Sequence, residues 1–182
     1  MNSPLPTHAA NLAPPCAIPP GFKPRKFGDG FVAANGPLYT RMHEGKLQVG
    51  FLVEERHCNP MGICHGGMLA MLGDMVCPIT AHATCEAAHN RFLPTIGLQI
   101  DYLASAPLGA WVHGQAEVLR ATRSMVFVQG LLYADNTLIA RVSGVFKIGK
   151  PFQPALTPAL TPTLTPTITP AITPAITPAK TP

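Results

Sequence analysis

Residues 65–86, HGGMLAMLGDMVCPITAHATCE, decide the fold of this chain. Met, Leu, Ala and Val dominate the run, most of them good helix formers, and it is long enough for several turns. It reads as the only long helix. Between Gly66 and Ile79 the helix has hardly any polar face, and a helix apolar on nearly all sides has to be enclosed by other elements. A sheet curled around it would do this.

Working outward, the pattern becomes strand-like. PLYTRMHE (37–44) and KLQVGFLVE (46–54) meet at a Gly-containing turn over Glu44 to Lys46, as in a hairpin. After the helix come TIGLQIDYLA, AWVHGQAEVLRA, SMVFVQGLLYA and LIARVSGVFKI, separated by Pro107 and Gly109, by ATR, and by Asp135 and Asn136. Two strands, a helix and four strands in sequence-adjacent order predict an antiparallel sheet packed on one helix. This is an α+β domain over residues 31–150 rather than a parallel doubly wound one. Residues 1–30 are rich in Pro, Ala and Gly and predict a loosely attached arm. Residues 151–182 repeat TPxx with period four. Proline at that spacing excludes helix interior and central strand, and an extended, disordered tail is expected.

Hydrophobic residues make up 47% of the 182, enough for one core after both ends are set aside. The net charge of +4 is mild and, apart from Lys23, Arg25 and Lys26, the cations are scattered. No nucleic-acid or anionic-membrane surface is expected, while a small phosphate-bearing ligand remains compatible. The five cysteines (Cys16, Cys58, Cys64, Cys77 and Cys85) form no CxxC pair and leave an odd thiol. That argues against a secreted disulfide scaffold and fits a reducing cytosol. No basic segment followed by an apolar run opens the chain, and no stretch of about 20 apolar residues follows. A soluble cytoplasmic protein is expected.

The single ionisable side chain over two turns of the helix is Asp74, between Leu72 and Met75. Asp is seldom buried without partners, and desolvation is how enzymes make a carboxylate useful as a base near neutral pH. The alternative is a partly exposed Asp at a helix edge. Immediately before the helix, HCNPMGICHGG (57–67) offers the hydrogen-bonding side chains of Asn59 and His65. Gly66 and Gly67 fall at the helix start, where unpaired N–H groups and the helix dipole favour developing negative charge. Such a place can serve as an oxyanion hole, since a glycine N–H is open to close approach. An ordinary Gly-rich turn is the plainer reading. His65 and Asp74 are 74 − 65 = 9 residues apart, on opposite helix faces and about 13 Å apart along the axis. If both serve one site, a second copy must supply the missing half, as in a symmetric dimer with two shared sites.

HCNPMGICHGGMLAMLGDMV resembles the N-x-x-G-x-x-H-G-G-x-x-x-x-x-x-D signature of PaaI-like, or acyl-CoA thioesterase 13-like, hotdog proteins. The likeness runs over about residues 31–150, through IDYLASAP and ARVSGVFKI, and leaves out both ends. It implies a long helix wrapped by an antiparallel sheet, assembled as a dimer or dimer of dimers. It also implies hydrolysis of an acyl thioester, such as an acyl-coenzyme A, with no cofactor beyond the coenzyme A of the substrate. On this resemblance Gly66 polarises the thioester carbonyl, Asn59 and His65 hold substrate or water, and Asp74 activates water or attacks directly. Thr95 stands where some relatives place Ser, and the resemblance gives its hydroxyl the role of positioning water. Gly67 joins the substrate-binding residues, and Arg120, Arg123 and Lys150 are candidates for the coenzyme A phosphates.

Other chemistries fit less well. His57, Cys58, Cys64 and His65, and His82 with Cys85, lack the C-x-x-C or H-x-x-x-H spacings of metal sites, so no metal is expected. A Cys nucleophile beside His65 lacks an orienting third residue. A hotdog domain that binds acyl-CoA without cleaving it is the main rival, and a hydratase would resemble a different His and acidic-residue arrangement.

Overall fold

The computed structural model describes residues 17–151; the first 16 residues and the TPxx repeat from 152 onward lie outside the described residues. The elements in chain order are β1 (Lys23–Arg25), α1 (Phe31–Asn35), β2 (Leu38–His43), β3 (Lys46–Leu52), α2 (Gly66–Thr84), β4 (Thr95–Tyr102), β5 (Trp111–Ala121), β6 (Met125–Ala134) and β7 (Thr137–Lys147). The strands form one antiparallel sheet ordered β1-β2-β3-β5-β6-β7-β4. The β2–β3 hairpin turns through Glu44 and Gly45, both at positive φ (48° and 73°). Such a two-residue turn matches the twist of its strands.

The helix lies on the concave face of the sheet, mainly across β5 and β6, and also touches β3, β4 and β7. Leu72, Val76, Cys77 and Ala81 are fully buried there, in one cluster with Val112, Val128, Leu132, Val142 and Phe146. Each fully buried branched or aromatic side chain contributes roughly 1.5–3 kcal/mol by leaving water. Gly73 allows the close approach: a Cβ there would meet Val142 at 3.1 Å. The fold is the α+β hotdog arrangement expected from the sequence, with the long helix held in a curved antiparallel sheet. Among the described residues no helix is long and apolar enough to cross a membrane.

Three features differ from the expectations. The helix ends at Thr84 rather than near Glu86, which starts a separate turn of 3-10 helix. Strand adjacency fails at β4: the strand after the helix neighbours neither β3 nor β5, pairs with β7 alone and forms an edge. The helix crosses the sheet and delivers the chain to its far side. The part of the N-terminal arm nearest the domain is also packed rather than loose. Lys23–Arg25 pairs with β2, and Phe22 is buried edge-on against Trp111, ring centroids 4.7 Å apart, on the convex face. The Arg41 guanidinium covers the Phe22 ring at 4.4 Å and donates to the Pro20 carbonyl at 3.1 Å. One aromatic ring with a partner and a cation above it holds a segment too short to show any periodicity.

Candidate active site

The turn before α2 is built by its own polar groups. Asn59 Oδ1 accepts from the N–H groups of Met61 (2.9 Å) and Ile63 (3.4 Å). The Asn59 N–H donates to the Ile63 carbonyl at 2.9 Å, and Gly62 turns the loop at φ 72°. An Asn folded onto its own backbone in this way stabilises a tight turn. It leaves only the Asn59 amide NH2 free to donate outward. Beneath the loop, buried His57 receives the Glu54 N–H on Nδ1 (3.0 Å), so its proton is on Nε2, which donates to the Asn35 carbonyl (3.1 Å). Arg56 donates to the carbonyls of Ala34 and Gly36, so α1 is tied to the same turn.

His65 is the N-cap of α2. Its Nδ1 accepts from the Gly67 N–H at 2.9 Å, satisfying one of the unpaired donors of the first helical turn. With Nδ1 engaged, Nε2 is the ring atom left for a ligand. The hydrogen bonds of this turn use the N–H groups of His65, Gly67, Met68 and Leu69. Among the described residues that of Gly66 has no acceptor. A groove of 360 Å³ opens beside it, lined in part by Phe31, His65, Gly67 and Met68.

Asp74 is half-buried, on a stripe of α2 with Ala70, Met75, Pro78 and Ile79 that the sheet leaves incompletely covered. Its Oδ1 accepts from the Thr95 hydroxyl at 2.7 Å. The partial exposure of the plainer reading is therefore present, and so is an orienting partner. Pro78 lies in the helix interior four residues on and has no N–H to donate to the Asp74 carbonyl.

The structure puts His65, Gly66 and Gly67 together at the helix start, with Asn59 in the turn before it, and joins Asp74 to Thr95 at mid-helix. These two groups stand apart in one chain: 74 − 66 = 8 residues of helix span about 12 Å. Arg120, Arg123 and Lys150 are exposed. The ladder running Thr95↔Phe146, Phe146↔Val126, Val126↔Ala121 places the β5–β6 turn at the Thr95 end of the sheet. Among the described residues none of the three cations enters an ion pair. The Cys64 thiol is pushed up to about 12 by burial, with Cys58 adding to the shift, the reverse of what a thiolate nucleophile needs. The sequence reading missed Tyr102, whose hydroxyl donates to the Gly66 carbonyl at 2.9 Å. The available signal was its place in the inward alternation Leu98, Ile100, Tyr102.

Comparison with known proteins agrees with this architecture. The profile of the Thioesterase superfamily matches residues 61–140, which hold the Gly-rich helix start, Asp74 and Thr95. A Pseudomonas aeruginosa protein provisionally named an esterase is 29% identical over 72% of this chain and 97% of its own length. A solved Ralstonia eutropha structure, provisionally named a thioesterase and described as phenylacetic acid degradation-related, is 28% identical over 67% of this chain and 92% of its own, with a TM-score of 0.57. A second solved structure from Pseudomonas aeruginosa is 30% identical over 60% of this chain and 84% of its own, with a TM-score of 0.51. With the helix, the sheet and the site motif in place, residues 61–140 match the thioesterase superfamily, and the fold is that of PaaI-like hotdog thioesterases.

Proposed function

We propose that the protein hydrolyses acyl-coenzyme A thioesters, with Asp74 as the catalytic carboxylate and the Gly66 N–H as oxyanion donor. The observation that carries this reading is the pair of uncommitted groups: a carboxylate with one oxygen fixed by Thr95 and the other open, and a helix-start N–H without an acceptor. The open oxygen takes a proton from water as it adds to the thioester carbonyl, or attacks that carbon itself. The carbonyl oxygen gains negative charge and is stabilised by the Gly66 N–H and the positive end of α2. Collapse breaks the C–S bond, and the thiolate takes a proton from the Asp74 carboxyl on the water route or from solvent on the direct route, where water then hydrolyses the acyl–Asp74 anhydride. His65 Nε2, at the helix start, and the Asn59 amide, in the turn before it, are the donors assigned to orienting the acyl carbonyl or water, and His65 and Gly67 border the same groove. Arg120, Arg123 and Lys150 are the cations available for the phosphates.

About 12 Å of helix separates the two groups, so one chain does not complete this site. The missing half comes from a second copy. The open edge of β4 exposes Ile96, Tyr102 and Leu103, at 59%, 53% and 56%, beside the incompletely covered stripe of α2. Unpaired strand edges and contiguous apolar surface both favour association, here into a dimer or dimer of dimers with sites shared between chains.

The test is thiol release from a panel of aromatic and aliphatic acyl-CoAs by the wild type and by Asp74→Asn. Turnover abolished by the substitution supports the proposal. Binding of acyl-CoA without any wild-type turnover replaces it with the non-catalytic binder.

A further inference from the structure

Tyr102 ends β4 at the open edge of the sheet and reaches back to the first turn of α2. Its hydroxyl donates to the Gly66 carbonyl at 2.9 Å, and a Cβ at position 66 would come within 3.3 Å of its Cζ and Oη. Gly66 therefore lies between two peptide planes that are both held. The His65–Gly66 plane, which carries the Gly66 N–H, is fixed by its carbonyl, which accepts from Met68 (2.9 Å) and Leu69 (3.3 Å). The Gly66–Gly67 plane is fixed at one end by the Gly67 N–H on His65 Nδ1 and at the other by Tyr102. Glycine leaves rotation about its own N–Cα and Cα–C bonds free, and holding the plane on each side of Gly66 stops both rotations and keeps its N–H at the helix start.

We propose that Tyr102 is a positioning residue for the oxyanion donor, holding the Gly66 peptide from the edge strand while its ring closes the space that a side chain at position 66 would need. The proposal rests on the thioesterase reading above. It gives β4 two attachments to the same helix, Thr95 to the Asp74 carboxylate and Tyr102 to the Gly66 carbonyl. With sites shared between copies, the two attachments serve different sites, and the strand at the open edge of the sheet ties one to the other.

Tyr102→Phe keeps the ring and removes the hydroxyl. The expected result is a fall in kcat of about tenfold, the scale set by slight misplacement of a catalytic group. KM stays within about twofold, because acyl-CoA contacts are not removed. A merely structural role would lower the melting temperature and leave kcat of the folded enzyme unchanged, and that outcome overturns the proposal. A second readout needs no turnover: amide resonances of protein labelled at glycine nitrogen. Those of Gly66 and Gly67 shift or broaden in the variant while those of Gly73 and Gly114 stay in place. Unmoved Gly66 and Gly67 resonances also overturn the proposal. A wild type without thioesterase activity sinks the functional reading alone, since the amide spectrum still decides whether Tyr102 holds this peptide.

Discussion

Around the start of α2, side chains and backbone hold one another: Asn59 folds onto its own loop, His57 and Arg56 tie down α1, His65 caps the helix and Tyr102 reaches in from β4. Eight residues along the same helix, Asp74 has the Thr95 hydroxyl, and its own carbonyl lacks a donor at Pro78. The first region is a fixed frame whose product is one free N–H. The second is a carboxylate left partly open, the reactive group of the proposed mechanism. The difference teaches that an oxyanion donor has to be preorganised by many bonds, because its work is done by direction. A carboxylate that must exchange a proton needs only orientation and access.

The largest expected effect breaks the open region. Asp74→Asn lowers thioester turnover by about 10²–10⁴-fold, the usual span for a positioned acid–base group, with little change in melting temperature. An Asn variant with near wild-type kcat would remove Asp74 from the chemistry.

Next comes the frame. Asn59→Ala removes the acceptor of the exposed Met61 N–H and the half-buried Ile63 N–H, and is expected to cost about 0.5–1.5 kcal/mol of stability, read from the urea midpoint. A midpoint equal to that of the wild type would show that water replaces the Asn59 carbonyl and that the frame is less rigid than its bonds suggest.

Thr95→Val sharpens the comparison at smaller scale. The hydroxyl is lost and the β-branched shape kept, so the strand is retained. Turnover falls about tenfold through misorientation of the carboxylate, while stability changes by less than about 1 kcal/mol, as expected of an exposed hydrogen bond. A loss of stability larger than the loss of activity would make Thr95 a structural residue.

The smallest effect is in pH. His57, His82 and His113 are each held below the ordinary histidine value of 6.5, first by burial and then by a neighbouring cation or imidazole: Arg56, His89 and Arg41 respectively. Each binds its proton more readily in the unfolded chain. Their contribution to stability is complete above about pH 6.5 and is lost as pH falls through the lowered folded values, with a slope of at most about 1.4 kcal/mol per pH unit for each histidine. His57→Gln should flatten that slope in chemical denaturation measured from pH 7.5 down to pH 5. An unchanged slope would mean that His57 titrates alike in both states.

Much of this molecule is legible without coordinates because its signals are local. A long apolar run with one carboxylate specifies an enclosed helix carrying a lone acidic group, and alternating β-branched segments specify strands around it. The Gly pair after His65 marks the helix start by its backbone needs alone. The short elements are illegible for the same reason: three residues of β1 and five of α1 carry no period, and they are held by Phe22 on Trp111 and by Arg56 on distant carbonyls.

The sequence by itself determined the helix, the strand content, the helix-start turn and the identity of the lone carboxylate, since each depends on neighbours a few residues away. Only the tertiary structure decided that β4 lies at an open edge, that Thr95 meets Asp74 across 21 residues, and that Tyr102 meets Gly66 across 36. The physical reason is that these contacts are set by where the helix crosses the sheet. That crossing depends on packing at sites such as Gly73 against Val142, between residues far apart in the chain.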